Sequence, residues 1–249
     1  MDRELPFLAH LEELRRRIII SLVTLIAGAL VCLPFSPQIL KILKLPASDA
    51  IGRLAFFSPQ DAFVIYMRIG FMGGLILAFP VIAYQFWVFV SPAIEERFKK
   101  NAALPAFFCV CAFISGCAFS YFILLPKALA FLLGMGSEDL EPVISATNYV
   151  SFVTTMIVSC GLVFQMPVLS FLLTRAGLVN SRMLRKKFKY AVVIIFIIAA
   201  VITPTVDAFN MLILALPMLF LYEASIWVSA IVGRRSSKGQ APEGYGKAG

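Results

Sequence analysis

The stretch HLEELRRR at residues 10–17, followed at once by the apolar run IIISLVTLIAGALVCLPF at residues 18–35, decides how this chain folds. The first part mixes apolar and charged residues and carries Glu12 and Glu13 ahead of a run of arginines. The second part comes close to the roughly 20 residues that a helix needs to cross the hydrocarbon of a membrane. The junction predicts a membrane-spanning helix with paired carboxylates at the water–lipid boundary, where a cationic peptide can reach them.

The composition of the whole chain is that of a membrane protein. Hydrophobic residues make up 60% and charged residues 14% of the 249 positions, and the mean hydropathy is +0.90. In a typical soluble domain, charged residues make up about a quarter of the chain. The apolar runs are long enough to be membrane-spanning helices, so we predict an all-α polytopic membrane protein.

Six apolar segments predict six transmembrane helices in one membrane domain, residues 1–233, followed by a disordered cytoplasmic tail, residues 234–249. The expected spans are residues 18–35, 63–90, 102–125, 149–173, 190–203 and 208–232. The fifth segment has 14 residues and would measure only about 21 Å as a helix. It turns at once through Pro204 into the sixth, so we expect a pair of short helices that leaves a recess on the outer side.

The basic residues are distributed unevenly between the two sides of the membrane. Seventeen of the 22 lie in segments that six spans place on one side, residues 1–17, 97–100, 175–189 and 234–247. Four lie on the other side, and Arg68 lies at the edge of the second span. Cytoplasmic loops carry the excess of Lys and Arg, so we predict both termini in the cytoplasm. Anchoring to anionic membrane lipid accounts for the net charge of +8, and no nucleic-acid partner is expected.

The sequence offers no catalytic or metal-binding set of residues. His10 is the only histidine, which excludes a Ser-His-Asp triad and a histidine-rich metal site. The five cysteines lie in apolar runs without the spacing of a metal or redox motif, so we interpret them as small buried side chains. We therefore predict a protein that is not an enzyme and that needs no cofactor or metal.

Polar and kinking residues interrupt the apolar segments at a few positions. Pro80, Pro167 and Pro217 fall inside expected spans, where each removes a backbone hydrogen bond and bends the helix. Gln165 lies past the middle of the fourth span, where a polar side chain is costly unless it meets protein or water. Two interpretations stay open: Gln165 lines the recess, or it bridges two helices. Between the first two spans, residues 38–45 have the pattern of a short amphipathic helix lying on the membrane.

A series of motifs, in order from His10 to Trp227, gives the chain a specific resemblance. The motifs are HLxELR at 10–15, PVxxYQxWxFxxP at 80–92, GxxFxYF at 116–122 with Pro126, GxxFxMP at 161–167, Thr203-Pro204 ahead of Asp207, and Pro217 ahead of LYE at 221–223. With them the chain resembles the core subunit of the twin-arginine protein translocase, the TatC family. Each motif alone is weak, but the set and its spacing are specific.

The resemblance implies a fold and a function. The fold is a concave, cupped bundle of six helices in the bacterial cytoplasmic membrane, with both termini inside. The function is that of a receptor for signal peptides that bear consecutive arginines. Such a receptor forms a homo- and hetero-oligomer with single-span subunits of the TatA and TatB type. Together they move folded proteins across the membrane, driven by the proton-motive force.

The resemblance also assigns a role to the opening motif. Glu13 matches the carboxylate that contacts the arginines of the signal peptide, with His10 and Arg15 beside it. Carboxylates suit this task because they accept forked hydrogen bonds from guanidinium groups. An alternative stays open, in which Glu13 pairs with Arg16 or Arg17 on its own helix in a surface bridge worth under roughly 1 kcal/mol.

The chain departs from the family pattern at two positions. Phe98 stands where the family has a second Glu, so we expect Glu96, or failing that Glu95, to supply the second carboxylate. Gln165 stands where the family has Glu inside the fourth span. The neutral amide keeps the hydrogen bonding of that position and loses its titratable charge.

Two further sets of residues complete the expected site and architecture. The recess on the outer side is where partner helices and the apolar part of the signal peptide are expected to dock, and its residues are Gln165, Asp207, Met211, Tyr222 and Glu223. The prolines expected to shape the bundle are Pro80, Pro92, Pro126, Pro167 and Pro204.

Two other classes of membrane protein share some of these features. A secondary transporter or channel needs ionisable residues within the membrane and a symmetric site, and the sequence indicates neither. A membrane insertase or lipid-handling scaffold would share the recess and the basic inner face. Co-purification with single-span amphipathic subunits separates the twin-arginine interpretation from both.

Overall fold

The computed structural model describes residues 4–47, 54–90, 103–134, 143–202 and 208–238, and these are almost entirely helical. The helices are α1 (Glu4–Cys32), α2 (Ser36–Lys44), α3 (Asp61–Val90), α4 (Ala103–Phe119), α5 (Leu125–Gly134), α6 (Ala146–Val163), α7 (Met166–Arg175), α8 (Ser181–Lys186), α9 (Phe188–Ile202) and α10 (Ala208–Lys238). Short 3-10 turns, Leu33–Phe35 and Leu45–Ala47, flank α2, and a π-helical turn, Ser120–Leu124, joins α4 to α5. The predicted all-α class is confirmed.

Five helical stretches are long and apolar enough to cross a membrane. They are His10–Lys44, Asp61–Val90, Ala103–Gly134, Ala146–Arg175 and Met211–Val232. α9 is apolar but only 15 residues long, about 22 Å as a helix, in keeping with the short fifth segment expected. The described residues are therefore those of a multi-pass membrane protein.

The sixth helix is not short, and that part of the fold prediction was wrong. α10 runs for 31 residues, with Pro217 inside it, and continues beyond residue 232, where the sixth span was expected to end. In a membrane bundle, neighbouring groups can satisfy the backbone that a proline frees. Residues 234–238, expected to begin a disordered tail, continue this helix, and residues 239–249 lie outside the described residues.

The third and fourth helical stretches also differ from the expected spans. The third continues to Gly134, with Pro126 in the first turn of α5, directly after the π-helical turn has shifted the hydrogen-bond register. The fourth is interrupted at residues 164–165, and Pro167 falls in the first turn of α7, where a missing N–H costs little. Pro80, by contrast, lies inside α3. The remaining two architectural prolines, Pro92 and Pro204, lie outside the described residues.

Successive long helices run antiparallel, so the bundle has two ends. His10 of α1 stacks on Phe89 near the end of α3, with ring centroids 4.5 Å apart. Trp87 clusters there with Ala106, near the start of α4, and with Leu172, near the end of α7. We call this the basic end, and its arginines include Arg15, Arg16, Arg17 and Arg175.

The opposite end, which we call the cap end, carries α2, the short amphipathic helix expected from the sequence. The hydroxyl groups of Tyr121 and Tyr149 donate hydrogen bonds of 2.7 Å to the carbonyl oxygens of Ile42 and Leu43, respectively. The last turn of a helix leaves such carbonyls without the N–H that a continuing α-helix would supply, and that of Ile42 also accepts from the N–H of Leu45. α2 is therefore fastened to the bundle by two tyrosines, in addition to any contact with the membrane surface.

The chain segment before α3 is tied to the segment before α6 at the same end. The N–H of Ala55 donates to the carbonyl of Ile144 at 3.0 Å, and the N–H of Ala146 donates to the carbonyl of Ala55 at 2.9 Å. Within the described residues this single bridge is the only β-type pairing. It joins the starts of two membrane-spanning helices.

Glycines bring two pairs of helices into backbone contact. A Cβ built on Gly28 of α1 would lie 2.8 Å from the carbonyl oxygen of Gly74 in α3. A Cβ built on Gly116 of α4 would lie 2.7 Å from the carbonyl oxygen of Cys160 and 2.9 Å from Cα of Gly161, both in α6. Small residues allow this close approach, and the resulting van der Waals packing stabilises helix pairs in a membrane.

The largest buried cluster is formed by side chains of α2, α3, α5, α6, α9 and α10. Ile69, Val150, Met156 and Met218 are completely buried in it. The described side chains of α1 do not belong to this cluster, and Val23 of α1 is 60% exposed. α1 therefore packs mainly on α3 and leaves grooves along its sides.

Candidate functional site

Glu13, Arg17 and Gln85 form a hydrogen-bonded group at the basic end, between α1 and α3. Arg17 Nη2 donates to Glu13 Oε1 at 3.1 Å, and Arg17 Nη1 donates to Gln85 Oε1 at 2.7 Å. Glu13 and Arg17 share one face of α1 because they are four residues apart. Of the two interpretations of Glu13, its pairing with Arg17 on its own helix is present in the structure.

This group is partly open to solvent. The side chain of Arg17 is 25% exposed and that of Glu13 is 35% exposed. At such exposure an ion pair contributes under about 1 kcal/mol, so another cation can join or replace Arg17. An ionised carboxylate has two oxygens and several acceptor positions, and Arg17 takes only Oε1. Glu13 can therefore accept further hydrogen bonds from a cationic ligand.

An apolar groove of about 380 Å³ opens beside the group, between α1 and α3. Its polar lining consists of Arg17, Ser21 and Gln85. Its apolar lining includes Leu14, Ile18, Leu22, Phe86 and Phe89. A carboxylate next to an apolar wall can hold a peptide in which cationic and apolar residues are adjacent.

His10 and Arg15, both expected beside Glu13, lie on different faces of α1. His10 is one turn before Glu13, and its ring stacks on Phe89 with the two planes 16° apart. Arg15 is exposed and follows Glu13 by two residues, so it points about 200° away around the helix. The structure thus brings His10, and not Arg15, to the face of α1 that carries Glu13.

The expected second carboxylate, Glu96 or Glu95, lies in residues 91–102, outside the described residues. α3 ends at Val90 and α4 begins at Ala103, and both positions lie at the basic end. The chain therefore leaves and re-enters the described bundle at the end that carries Glu13.

Gln165 occupies the break between α6 and α7. Its backbone N–H donates to the carbonyl of Leu162 at 3.0 Å, whereas a continuous α-helix would direct it to Gly161. Its side-chain Nε2 donates to the freed carbonyl of Gly161 at 3.4 Å and to the carbonyl of Cys109 in α4 at 3.1 Å. Of the two interpretations of Gln165, the bridge between helices is present in the structure.

The remaining recess residues are spread along α10. Met211 lies near its start, and Tyr222 lies about 16 Å further along the helix axis. Tyr222 donates its hydroxyl to the carbonyl of Leu184 at 3.0 Å, and Glu223 pairs with Arg185 at 3.5 Å. Tyr222 and Glu223 thus contact α8, while Met211 lies nearer the other end of the helix. Asp207 lies outside the described residues.

The cysteines do not assemble a reactive centre. All five are free, with Cys32, Cys109 and Cys160 buried and Cys111 exposed. Within the described residues, no group of three or more His, Cys, Asp and Glu side chains is arranged to hold a metal ion. The site at the basic end is therefore built from carboxylate, guanidinium and amide groups.

Two polar side chains of α3 have contacts that the sequence pattern does not show. Gln85, which belongs to a motif, connects α3 to Arg17. Arg68, at the edge of the second expected span, donates a hydrogen bond to Ser151 of α6. Both residues are polar and lie inside an apolar helix, where polar groups are costly and tend to be functional. This feature could have identified them from the sequence.

The chain is similar to known proteins over nearly its whole length. A family model described as Sec-independent protein translocase protein (TatC) matches residues 9–217. The protein of that name from Koribacter versatilis is 37% identical over 234 residues, which cover 92% of this chain and 86% of the relative. The one from Aquifex aeolicus is 36% identical over 239 residues, which cover 94% and 98%.

Solved structures share the fold. A crystal structure of the twin arginine translocase receptor TatC matches with a TM-score of 0.81 at 35% identity, covering 92% of this chain and 99% of that one. A second crystal structure, of the receptor in the detergent DDM, matches with the same TM-score at 36% identity. The family model, the relatives and the structures agree, and the chain belongs to the TatC family, whose members are non-enzymatic subunits of a protein translocase.

Proposed function

We propose that this chain is the receptor core subunit of a twin-arginine translocase and binds signal peptides with consecutive arginines at its basic end. The observation that carries the proposal is the group of Glu13, Arg17 and Gln85 beside an apolar groove. The proposed ligand carries two guanidinium groups ahead of an apolar segment. A carboxylate next to an apolar wall complements both parts of such a peptide.

Two neighbouring guanidinium groups require more than one carboxylate. Glu13 supplies the first, and the segment between α3 and α4 supplies the second, with Glu96 as the first choice and Glu95 as the second. These two are adjacent in sequence, so on a helix they point about 100° apart and only one faces Glu13. The segment that carries them leaves and re-enters the bundle at the basic end, which supports this assignment.

The proposal places the basic end at the cytoplasmic face of a bacterial cytoplasmic membrane, with both termini inside. The excess of Lys and Arg in the segments of this side supports that orientation. Signal peptides are made in the cytoplasm, so their binding site has to face it. The cap end then lies at the outer face.

Single-span subunits of the TatA and TatB type assemble with this chain, and together they move folded proteins by using the proton-motive force. Their helices dock in the recess beside the short helix α9, with Met211 at its edge. Gln165, which bridges two helices and is still partly exposed, lies on the wall of this recess. Val193, Ile197 and Val201 of α9 form an apolar stripe with a period of four residues and are 57%, 58% and 80% exposed. An exposed stripe of this kind supports contact with another helix or with lipid.

Photo-crosslinking tests the position of this recess. Crosslinkers placed at Gln165 and at Met211 are expected to capture a partner helix while cargo is being moved. Capture of lipid alone at Gln165 under the same conditions would place the docking surface elsewhere.

Co-purification of the single-span subunits with the chain separates the proposal from a secondary transporter and from an insertase.

Binding of a synthetic twin-arginine signal peptide to the purified full chain tests the proposed receptor function. Glu13→Gln should weaken binding about thirtyfold, because a lost charged partner in a partly buried contact costs on the order of 2 kcal/mol. Glu12→Gln is the matched control, since Glu12 is an exposed neighbour on another face of α1. A twin-lysine peptide should hardly respond to either change. Unaltered affinity of Glu13→Gln would remove the basis of the proposal.

The second carboxylate is tested with the same peptide. Glu96→Ala is expected to weaken binding by a similar factor, and Glu95→Ala is expected to have the smaller effect. If both variants keep full affinity while Glu13→Ala loses it, the chain binds its signal with one acid and backbone acceptors.

Restoration of export in a strain that lacks its own core subunit tests transport itself.

A further inference from the structure

Two neighbouring helical stretches are interrupted inside the bundle. α6 ends at Val163 and α7 begins at Met166, whereas α10 continues through a proline at position 217. Pro167, in the first turn of α7, has no N–H for the carbonyl of Val163. Pro217 likewise has none for the carbonyl of Ile213. Each stretch therefore lacks a regular backbone hydrogen bond at one place.

The two interruptions lie at the same level. Two side-chain hydrogen bonds join α7 to α10, from Ser170 to the carbonyl of Ser225 at 2.9 Å and from Thr174 to the hydroxyl of Ser229 at 2.8 Å. Both pairs are 55 residues apart, so α7 and α10 run parallel, and the same offset sets Pro217 level with Leu162. The break at residues 164–165 therefore lies within about 5 Å of Pro217 along the helix axes.

On the basic-end side of the interruptions, the helical segments are fastened to one another. Tyr222 donates its hydroxyl to the carbonyl of Leu184 at 3.0 Å, and Arg185 pairs with Glu223 at 3.5 Å. These contacts hold α8 against α10, and the two hydroxyl bonds hold α7 against α10. We call α7, α8 and residues 218–232 of α10 the basic-end unit.

On the other side of the interruptions, the same two stretches belong to the packed body of the bundle. Leu214 and Ala215 of α10 are buried in the largest cluster. Gly161 of α6 lies against α4, since a Cβ built on Gly116 would come within 2.9 Å of Cα of Gly161. Both stretches are thus held up to the point where they are interrupted, and bending is confined to that level.

Gln165 links the break to α4. Its Nε2 donates to the carbonyl of Cys109 at 3.1 Å and to that of Gly161 at 3.4 Å. The second distance is long for a hydrogen bond, and the side chain of Gln165 is partly exposed. A link of this kind can be broken at a modest net cost.

Further toward the basic end, the unit meets α3 and α4 through apolar side chains. Leu172 clusters there with Trp87 and Ala106, and we call this contact the Trp87 seam. The indole N–H of Trp87 is buried in it and has no hydrogen-bond partner among the described residues. A buried donor without a partner costs free energy that is recovered when the donor reaches an acceptor. The closed seam is therefore not fully satisfied, which favours a second, open arrangement.

We propose that residues 164–165 and Pro217 form a hinge shared by two helical stretches, about which the basic-end unit swings against α3 and α4. The amide of Gln165 is the latch that holds the unit in the closed position, and the Trp87 seam is the contact that opens. A few residues at the ends of helices are enough to absorb such a movement. The hinge does not depend on whether the chain binds a twin-arginine peptide.

Two independent rigid bends account for less of the geometry. They explain the interrupted hydrogen bonds. They do not explain why both interruptions lie at one level, why the segments beyond them are fastened together, or why a buried donor at the opposing surface has no partner. A shared hinge explains all three.

Distances between paired spin labels test the hinge in the full chain, purified in detergent with its five native cysteines replaced. Labels at Arg182 of α8 and Leu104 of α4, both exposed, measure the unit against α4. Labels at Arg182 and Ile231 are the matched pair within the unit. Gln165→Leu removes the latch and should raise the population of a longer Arg182–Leu104 distance about fivefold, as expected for the loss of one hydrogen bond of ordinary net strength. The Arg182–Ile231 distance should stay the same.

Two further variants separate the movement of the hinge from misfolding. Gln38→Leu makes the same substitution at an exposed glutamine of α2 and should leave both distances unchanged. Pro217→Ala restores an N–H for the carbonyl of Ile213 and stiffens α10. Added to Gln165→Leu, it should return the longer distance toward its original population.

Two outcomes of the label measurements would overturn the proposal. One is an unchanged Arg182–Leu104 distance in Gln165→Leu. The other is an equal change in the Arg182–Ile231 distance, because the unit would then not move as one body.

Fluorescence reports on the seam itself. The chain has two tryptophans, so Trp227→Phe leaves Trp87 as the only one. Quenching of its emission by acrylamide should be weak in this background, because Trp87 is 1% exposed, and should increase when Gln165→Leu is added. Quenching that does not respond to Gln165→Leu would show that the seam stays closed and would contradict the proposal.

Discussion

Arg17 of α1 and Gln85 of α3 are joined by a 2.7 Å hydrogen bond between the guanidinium Nη1 and the amide Oε1. The same guanidinium donates to Glu13 at 3.1 Å. The position of α3 therefore determines where the cation paired with Glu13 stands. Gln85 acts as a positioning residue, since it reaches the carboxylate only through Arg17.

Arg17→Gln is expected to strengthen the binding of a twin-arginine peptide. In the unaltered chain the peptide has to displace or share the ion pair between Arg17 and Glu13, which is worth under about 1 kcal/mol. Without that pair, the affinity for the peptide should rise by at most about fivefold. Isothermal titration of the purified chain with the peptide measures it. Arg16→Gln, which alters an exposed neighbour, should change the affinity little. A weaker affinity of Arg17→Gln would show that Arg17 orients Glu13 in the complex and does not compete for it.

Gly74→Ala is expected to destabilise the bundle. The new methyl group would lie 2.5 Å from Cα of Ala29 in α1, a backbone atom that cannot move aside without displacing the helix. Overpacking of this kind costs about 1–3 kcal/mol. The thermal unfolding midpoint in detergent measures the loss. Gly134→Ala is the matched control, because a Cβ at Gly134 meets nothing within 4 Å, and it should leave the midpoint unchanged.

Tyr149→Phe should loosen α2 at the cap end. The change removes the donor to the carbonyl of Leu43, a buried residue, and a hydrogen bond lost in this way costs about 1–3 kcal/mol. Limited proteolysis between α2 and α3, together with the unfolding midpoint, reports the effect. Tyr66→Phe removes a hydroxyl from a side chain that is 39% exposed and serves as the control. Equal behaviour of the two variants would mean that the tyrosine bond does not hold α2.

Cysteine labelling in a background without native cysteines tests the orientation. Labels at Ser48 and Ser137 should react with a membrane-impermeant reagent from the outside. Labels at Ser181 and Ser236 should react only after the membrane is opened. The bias of Lys and Arg between the two sides is the physical reason. Reaction of the Ser181 position from outside would reverse the proposed topology.

Membrane crossing was predictable because it depends on length and apolarity alone. The short helix α9 and the amphipathic helix α2 both follow from residue patterns that act locally. The breaks and extensions did not follow from the pattern. α10 passes through Pro217, and the fourth stretch breaks at Gln165, because neighbouring helices and side chains decide which freed carbonyls are satisfied.

The candidate site was predictable only in part, and for a similar reason. Glu13 was identified from its motif, and the spacing of four residues made its pairing with Arg17 one of two open outcomes. Gln85 and Arg68 are more than 50 residues away from Arg17 and Ser151 in the chain, respectively. Their partners depend on how α3 packs against α1 and α6, which a local pattern does not contain.

The bridge at Gln165 also determines what the membrane voltage can act on. Moving one elementary charge across the whole membrane changes its energy by about 2.3 kcal/mol per 100 mV. A carboxylate at this break would carry a charge on which part of that field could act. The amide of Gln165, which donates to the carbonyls of Cys109 and Gly161, carries no net charge. The membrane voltage therefore exerts no net force on this amide, and the amide does not gain or lose a proton when the pH changes. In this chain, any movement driven by an energised membrane has to begin at other charges.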